Sequence, residues 1–433
     1  MNALVPILHA GDPGFARAFA RIRARGGADD SRVERAVRGI ISRVRRDGDR
    51  ALLEYTRRFD GVPLTRRRLR VTDAELRRAA AAMPARVMTA LRLAARRIRV
   101  YHEKQRQTSW RYRDPVGLVL GQQIRPLARV GVYVPGGKAA YPSSVLMNVV
   151  PARVAGVEEI VMVSPPSRAG DNTAVLAAAS IAGVSSVYRV GGAQAIAALA
   201  YGTQTIPRVD KIVGPGNAFV QAAKKLVYGA VDIDSTAGPS EVLVIADAQA
   251  DPAYVAADLL AQAEHGSGDE CAVLLTPSAR LAEAVRAELA RQLPPLPRQA
   301  DIRRALRRRG ALVVVRDLEH ARALAEEVAP EHLELLVQRP ERLAARLRNA
   351  GAIFLGPYAP APLGDYLAGP NHVLPTGGSA RFFSPLGVYD FLKRTSVVSA
   401  SARAIRTLGP AIETLAELEG YGAHAAAVRM RRR

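Results

Sequence analysis

The chain has a single cysteine, Cys271, in 433 residues. No internal disulfide framework is possible, and such sparing use of thiols fits a reducing compartment. It also lacks any stretch of 18 or more apolar residues free of charge, which argues against a membrane span. The opening MNALVPILHAGDPGF has a short apolar run but no basic residue before it and no small-residue cleavage site. It does not read as a secretory leader. These absences predict a soluble, cytoplasmic protein with no membrane partner. Apolar residues at 48% against charged residues at 24% exclude a disordered chain. The length calls for two or more domains.

What is abundant is arginine. The net charge is +22, and residues 1–113 hold 28 basic against 11 acidic side chains, an excess of 17. Many fall at helical spacing, as Arg43, Arg45, Arg46, Arg50, Arg57 and Arg58 do. One reading is a nucleic-acid surface. The other is a solvated helical face. No interleaved stacking aromatics or nucleic-acid motif accompany the charge, so no nucleic-acid partner is expected.

Residues 1–113 read as mainly helical. Asp30-Ser31 can cap a helix through VERAVRGIISRV, Thr72-Asp73 begins another, and Pro84 interrupts it. From about residue 116 the pattern changes. VGLVL, VGVYV, EIVMVS, SVYRVG and DKIVG read as short buried strands separated by alanine-rich helices. EVLVIAD, ECAVLLTP, GALVVVRD, HLELLV and GAIFLG begin a second such series, and PPLPRQ is a loop inside it. Residues 387–433 read as helical. Two α/β series suggest an ancient duplication, although no repeat is visible in the sequence.

Three strand–glycine–helix turns, VYVPGG, RVGGAQ and IVGPGNAF, could offer backbone N–H groups to phosphate. None is a full dinucleotide fingerprint. The only GxGxxG/A match, Gly420 to Ala425, follows no strand and lies in the helical tail.

Five polar features stand out from the alanine–leucine background. Gln262 and His265 are three residues apart at the end of AADLLAQAEH and share a helical face, as metal ligands or as plain surface polarity. Glu331-His332 enters the strand HLELLV and pairs a carboxylate with an imidazole, two proton acceptors near neutral pH or an exposed loop pair. Asp365 and His372 belong to a long Gly/Pro-rich stretch, the kind of loop that is either mobile or functional. Glu419 and His424 lie in LEGYGAH, and Ser240-Glu241 sits at the junction of the two series. A set of His, Asp, His and Gln suits Zn²⁺ with mixed N and O ligands. His9, His102 and His320 have no such company and read as structural or surface residues.

Six segments, GPGNAFVQAAKK, DSTAGPSEVLVIAD, DLLAQAEHG, APEHLEL, LGDYLAGPNHVLPTGG and LEGYGAHAAAVR, resemble in order and spacing the motifs of the histidinol dehydrogenase family. The likeness runs from about residue 30 to 430. It implies an NAD-dependent oxidoreductase of histidine biosynthesis that converts L-histidinol through L-histidinaldehyde to L-histidine with two NAD⁺. It implies one Zn²⁺ per subunit on Gln262, His265, Asp365 and His424, the last from the partner subunit of a homodimer. Glu331 and His332 match the family's catalytic pair. Ser240, Tyr366, His372 and Glu419 match substrate contacts, alongside Gln262, His265, His332, Asp365 and His424. Tyr133, Gln194 and Asn217 match NAD contacts.

The implied fold is α/β, with two incomplete Rossmann-like domains, small helical terminal domains and an intertwined homodimer. The expected divisions are an N-terminal extension over 1–26, a catalytic domain of 27–132 with 240–386, an NAD-side domain over 133–239, and a crossing helical segment over 387–433. A paralogous dehydrogenase of another small polar alcohol, such as a sulfonated diol, is the nearest alternative. A non-catalytic nucleic-acid-binding protein is the alternative of a different class. Cys271 lies in an apolar strand with no adjacent base, which predicts a structural role.

Overall fold

The computed structural model describes residues 4–24, 31–136, 140–167 and 172–432. Two six-stranded sheets organise them. The first runs Ile7–His9, Gly310–Val314, Cys271–Thr276, Glu241–Ala246, His332–Leu336, Ala352–Leu355, with every neighbour parallel. The second runs Arg70–Val71, Ser186–Arg189, Glu159–Ser164, Arg129–Tyr133, Lys211–Val213, Asp232–Ile233. All its pairs are parallel except the first, which is antiparallel. Glu241–Ala246 and Cys271–Thr276 are buried along their whole length. Unbroken apolar runs behave this way when helices cover both faces of a parallel sheet.

Both sheets share one winding. Apart from the edge strands Ile7–His9 and Arg70–Val71, which come first in the chain, each sheet starts at a central strand, moves outward over two crossovers, and then returns to the other side. The order reverses between Glu241–Ala246 and His332–Leu336 in the first sheet, and between Arg129–Tyr133 and Lys211–Val213 in the second. Such reversals open a crevice beside the sheet edge.

The expected domain divisions need correction. Helices Ser31–Asp47, Asp73–Ala82 and Ala85–Glu103 bury their apolar faces on the second sheet's layer, not on the catalytic side. Val37 and Ile41 share a core with Ile196 and Val220, and Leu91 and Ile98 with Leu146 and Met162. A boundary at 132/133 would also cut the strand Arg129–Tyr133. Within 1–26, Ile7–His9 is an edge strand of the first sheet, and Phe19 and Ile22 of helix Phe15–Arg23 enter that sheet's core.

A third, three-stranded antiparallel sheet joins Trp110–Arg113, Leu118–Pro126 and Leu392–Ala400. It departs from two expectations. VGLVL belongs here and not to a parallel sheet, and the C-terminal segment runs from the short 3-10 helix Val388–Phe391 into a nine-residue strand before helices Ala402–Leu418 and Gly422–Arg431. Leu392–Ala400 has no buried residue, so it carries no periodic apolar signal.

Thr72 forms a capping box with Glu75, and a new helix starts after Pro84. Asp30, expected to cap the helix at Ser31, lies outside the described residues, as do Gly137 of VYVPGG and the terminal Arg433. Part of the arginine excess pairs locally, as in Arg38–Glu34 and Arg50–Asp47. No helix among the described residues is long and apolar enough to cross a membrane.

Candidate active site

The point of reversal in the first sheet places Glu331 and His332 where the chain enters the strand His332–Leu336, beside Ser240 and Glu241 at the head of the central strand. Both members of the pair are buried, Glu331 at 6% and His332 at 3% exposure. Glu331 Oε2 accepts hydrogen bonds from Ser240 Oγ at 2.6 Å and from the Glu241 amide at 2.8 Å. Both fall on Oε2, which leaves Oε1 without a protein hydrogen bond among the described residues. Burial pushes the Glu331 carboxyl above the usual carboxylate range, although His332 and Ser240 pull the other way.

His332 Nδ1 lies 2.9 Å from the carbonyl oxygen of Glu241. A carbonyl only accepts, so Nδ1 carries the hydrogen and Nε2 presents a lone pair. That Nε2 is buried, has no hydrogen-bond partner, and stands 3.7 Å from Asp365 Oδ1. Burial opposes an imidazolium here, but Glu331 and Asp365 outweigh it and raise the His332 pKa. His265 and His372 are fixed in the same way. Nδ1 of His265 donates to the Gln262 carbonyl at 2.9 Å, and Nδ1 of His372 to the Asp365 carbonyl at 3.0 Å. Three imidazoles thus point their Nε2 atoms away from backbone anchors. Burial works against the Asp365 carboxylate, yet His332, His372 and His265 together hold its pKa below the ordinary value.

A cavity of about 380 Å³ collects these groups. Ser240, His265, Glu331, His332, Asp365, Tyr366 and His372 line one side. Pro135 and the loop Gly214–Asn217, which leave the C-terminal ends of the second sheet's strands, line the other. Gly214 has φ +116°, and a Cβ there would meet the Tyr133 carbonyl oxygen at 2.2 Å, so only glycine fits. Its amide donates to Asp234 Oδ2 at 2.8 Å, and its carbonyl accepts from Lys224 Nζ at 2.9 Å. Lys224, which is fully buried, also pairs with Asp234. Asn217 accepts from the amides of Phe219 and Val220 and caps the following helix.

Not every expected residue meets here. His265 lies just beyond helix Pro252–Ala263, so its tie to Gln262 replaces a shared helical face. Asp365 and Tyr366 end the short helix Ala361–Tyr366 instead of lying in a loop. Tyr133 and Gln194 are buried in the second sheet's layer and do not line the cavity. Tyr133 accepts from the Gly192 amide at 3.1 Å, and burial pushes its phenol up to about 12. Glu419 and His424 are exposed on the C-terminal helices, away from the cavity wall, with His424 against Tyr421 at 5.1 Å between ring centroids.

Glu241 escaped assignment from sequence. Its carboxylate accepts from the amides of Glu331 and Gly377, and its carbonyl holds His332. The only signal was its place beside Ser240 at the junction of the two series.

Among the described residues no three His, Cys, Asp or Glu side chains gather closely enough to hold a metal ion. Of the four expected donors, only His265 and Asp365 line the cavity; Gln262 does not. Gln262 is buried with Nε2 unpartnered, and because its amide can be turned, the oxygen can occupy that place. His265 Nε2 and the Asp365 carboxylate add a neutral nitrogen and an anionic oxygen. Two such donors and an amide suit a borderline cation that takes a fourth ligand from elsewhere.

The family model for histidinol dehydrogenase matches residues 23–432. The chain belongs to the histidinol dehydrogenase family. Histidinol dehydrogenase of Methylococcus capsulatus is 55% identical over 419 residues, 96% of each chain. That of Aquifex aeolicus is 55% identical over 410 residues, 94% of each. The crystal structure of histidinol dehydrogenase from Elizabethkingia anophelis superimposes with a TM-score of 0.93 at 35% identity, covering 100% of this chain and 98% of that one.

Proposed function

We propose that the protein is a zinc-supported histidinol dehydrogenase of the cytoplasm, oxidising L-histidinol through L-histidinaldehyde to L-histidine with two NAD⁺. The observation that carries this reading is the cavity itself. A proton-transfer pair on one wall faces a glycine loop and a capped helix N-terminus on the other. Asn217 and the Gly214–Asn217 backbone would meet the dinucleotide, with Tyr133 and Gln194 behind them. NAD⁺ supplies the hydride acceptor. Zinc, held by Gln262, His265, Asp365 and the partner's His424, would supply Lewis-acid polarisation of the substrate.

His332 Nε2, the buried lone pair, takes the hydroxyl proton as hydride leaves the carbinol carbon. Glu331 Oε1 then takes a proton from the water that adds to the aldehyde carbon. Protonated His332 returns its proton to the aldehyde oxygen, which gives the hydrate and restores the His332 lone pair. His332 again takes the hydroxyl proton of the hydrate as the second hydride leaves, and the carboxylate results. Ser240 orients Glu331, and Tyr366 and His372 shape the substrate side. Exposed Glu419 would meet the substrate ammonium across a dimer interface.

Exposed apolar side chains support such an interface: Leu415, Leu418, Tyr421 and Met430 on the C-terminal helices, and Trp110, Tyr112 and Val398 on the third sheet. The C-terminal segment would cross to the second subunit.

The test is NADH formation with histidinol, other small alcohols and a sulfonated diol, before and after chelation and zinc restoration. Histidinol oxidation lost on chelation and recovered with zinc is expected. Turnover of another alcohol alone would replace the substrate, and full activity without metal would remove the zinc role. Mixing inactive His424→Asn and His332→Asn proteins should restore partial activity, because one of the two sites in a mixed dimer is intact.

A further inference from the structure

Behind the cavity lies a carboxyl pair, buried Glu334 and half-buried Asp258, that takes no part in the chemistry above. Glu334 follows His332 on the same strand and face, with 1% exposure. Its Oε1 accepts from the Ala361 amide at 2.7 Å, at the start of the helix that ends in Asp365 and Tyr366. Its Oε2 is buried with no N–H or O–H donor. The group beside it is the carboxyl of Asp258, one turn before Gln262 on helix Pro252–Ala263. Two carboxylates cannot bond without a proton between them.

We propose that Asp258 and Glu334 share one proton, and that this neutral–anionic pair is a positioning device that fixes the Asp365 helix and the Gln262 helix against the His332 strand. The inference rests on the functional reading for what is being positioned, but not for the pair itself.

Three observations support it. Burial, then the charge of Asp258, pushes the Glu334 acid well above the usual carboxylate range, and burial lifts Asp258 to about 6. The short helix is clamped a second time, because a Cβ on Gly364 would meet the Phe354 ring at 2.7 Å. That ring in turn packs 6.0 Å, centroid to centroid, from His332. Glu334 therefore fixes one end of the helix while Phe354 fixes the turn that presents Asp365. A protonated Glu334 also spares His332 a third nearby negative charge, since an ionised Glu334 would raise the His332 pKa further.

The experiment compares wild type, Glu334→Gln, Asp258→Asn and Glu334→Met. Glutamine keeps both bonds, accepting from Ala361 and donating to Asp258, so kcat should stay within about threefold of wild type. Asp258→Asn also keeps a donor between the two groups and should be similarly mild. Glu334→Met loses both bonds, and a shift of the helix by about 1 Å should lower kcat about 100-fold. Zinc affinity, read by competition with a chelator, should fall about 10- to 100-fold in Glu334→Met alone.

Infrared spectroscopy of the metal-free protein reads the pair directly. Wild type should show a protonated-carboxyl band at neutral pH that Glu334→Gln removes. The inference is overturned if that band is absent, if Glu334→Gln loses as much activity as Glu334→Met, or if Glu334→Met keeps wild-type kcat and zinc. Should Glu334→Met fail to fold, the band and the behaviour of Glu334→Gln still decide. A protein that shows the band but leaves histidinol untouched retains the pair and loses the functional reading.

Discussion

The two six-stranded sheets wind in the same order, yet they build the cavity with opposite edges. The second sheet obeys the usual rule for parallel α/β folds. Its loops leave the C-terminal ends of Arg129–Tyr133 and Lys211–Val213, at the point of reversal, and bring the Gly214–Asn217 backbone to the cavity. The first sheet contributes from the other end. Ser240, Glu241, Glu331 and His332 stand where its central strands begin, and they offer side chains. One winding therefore serves two kinds of chemistry, and what each sheet contributes is decided by its local residues and not by its topology. Breaking the first sheet's contribution should stop proton transfer. Breaking the second's should weaken cofactor binding while leaving proton transfer intact.

The largest effect should come from the first sheet. His332→Asn removes the lone pair assigned to take the hydroxyl proton, and kcat should fall about 10²- to 10⁴-fold with little change in melting temperature. Loss of less than tenfold would mean that another base does the work. The pH dependence sharpens the point. Burial depresses the His332 pKa, but Glu331 and Asp365 raise it further, so the net shift is upward. The neutral base is thus populated only above the ordinary imidazole range, and kcat/KM should rise with pH through that raised value. Glu331→Gln removes the carboxylate whose charge raises it most. Whatever rate remains should then reach its plateau at lower pH, and a limb that stays put would assign the titration to some other group.

A smaller and different loss should follow on the second sheet. Gly214→Ala must place a Cβ at φ +116°, 2.2 Å from the Tyr133 carbonyl oxygen. A strained backbone of this kind costs about 1–3 kcal/mol. If about 1.4 kcal/mol of that reaches the cofactor loop, KM for NAD⁺ should rise about tenfold. KM for histidinol and the pH limb should not move. Steady-state kinetics in both substrates tests this. A loss confined to kcat would contradict the assignment of this edge to the cofactor.

The same contrast explains what could be read from the sequence. The parallel strands were legible because burial on both faces writes them as unbroken apolar runs, as in EVLVIAD. Leu392–Ala400 was not, because a strand with no buried residue leaves no pattern. The edge strands Ile7–His9 and Arg70–Val71 are too short to write one. Domain grouping failed for a related reason. The amphipathic helices of residues 31–103 announce that they cover something, but periodicity does not say which sheet. At the site, His265, Asp365 and the Glu331–His332 pair stood out as polar residues among alanine and leucine. Glu334 and Asp258 were hidden in the same strand and helix as ordinary alternating positions. Only the burial of Glu334, with one oxygen left without a donor, marks the pair.

The smallest effect should be at Cys271, where the two edges of the first sheet can be compared at a single residue. Its backbone is the register partner of Glu241, one strand away from the carbonyl that orients His332. Proximity alone would make it a candidate nucleophile for an aldehyde. The side chain points elsewhere. Its thiol donates to the Arg309 carbonyl at 3.4 Å, and it packs with Leu243, Ile245 and Ala311 in the core on one face of the sheet. It does not line the cavity. Cys271→Ala should therefore cost about 1 kcal/mol of stability by lost burial and leave kcat within about twofold. Thermal unfolding and steady-state turnover separate the two. A fall of several orders of magnitude in the second oxidation, with the first intact, would move covalent catalysis onto this strand and overturn the roles given to Glu331 and His332.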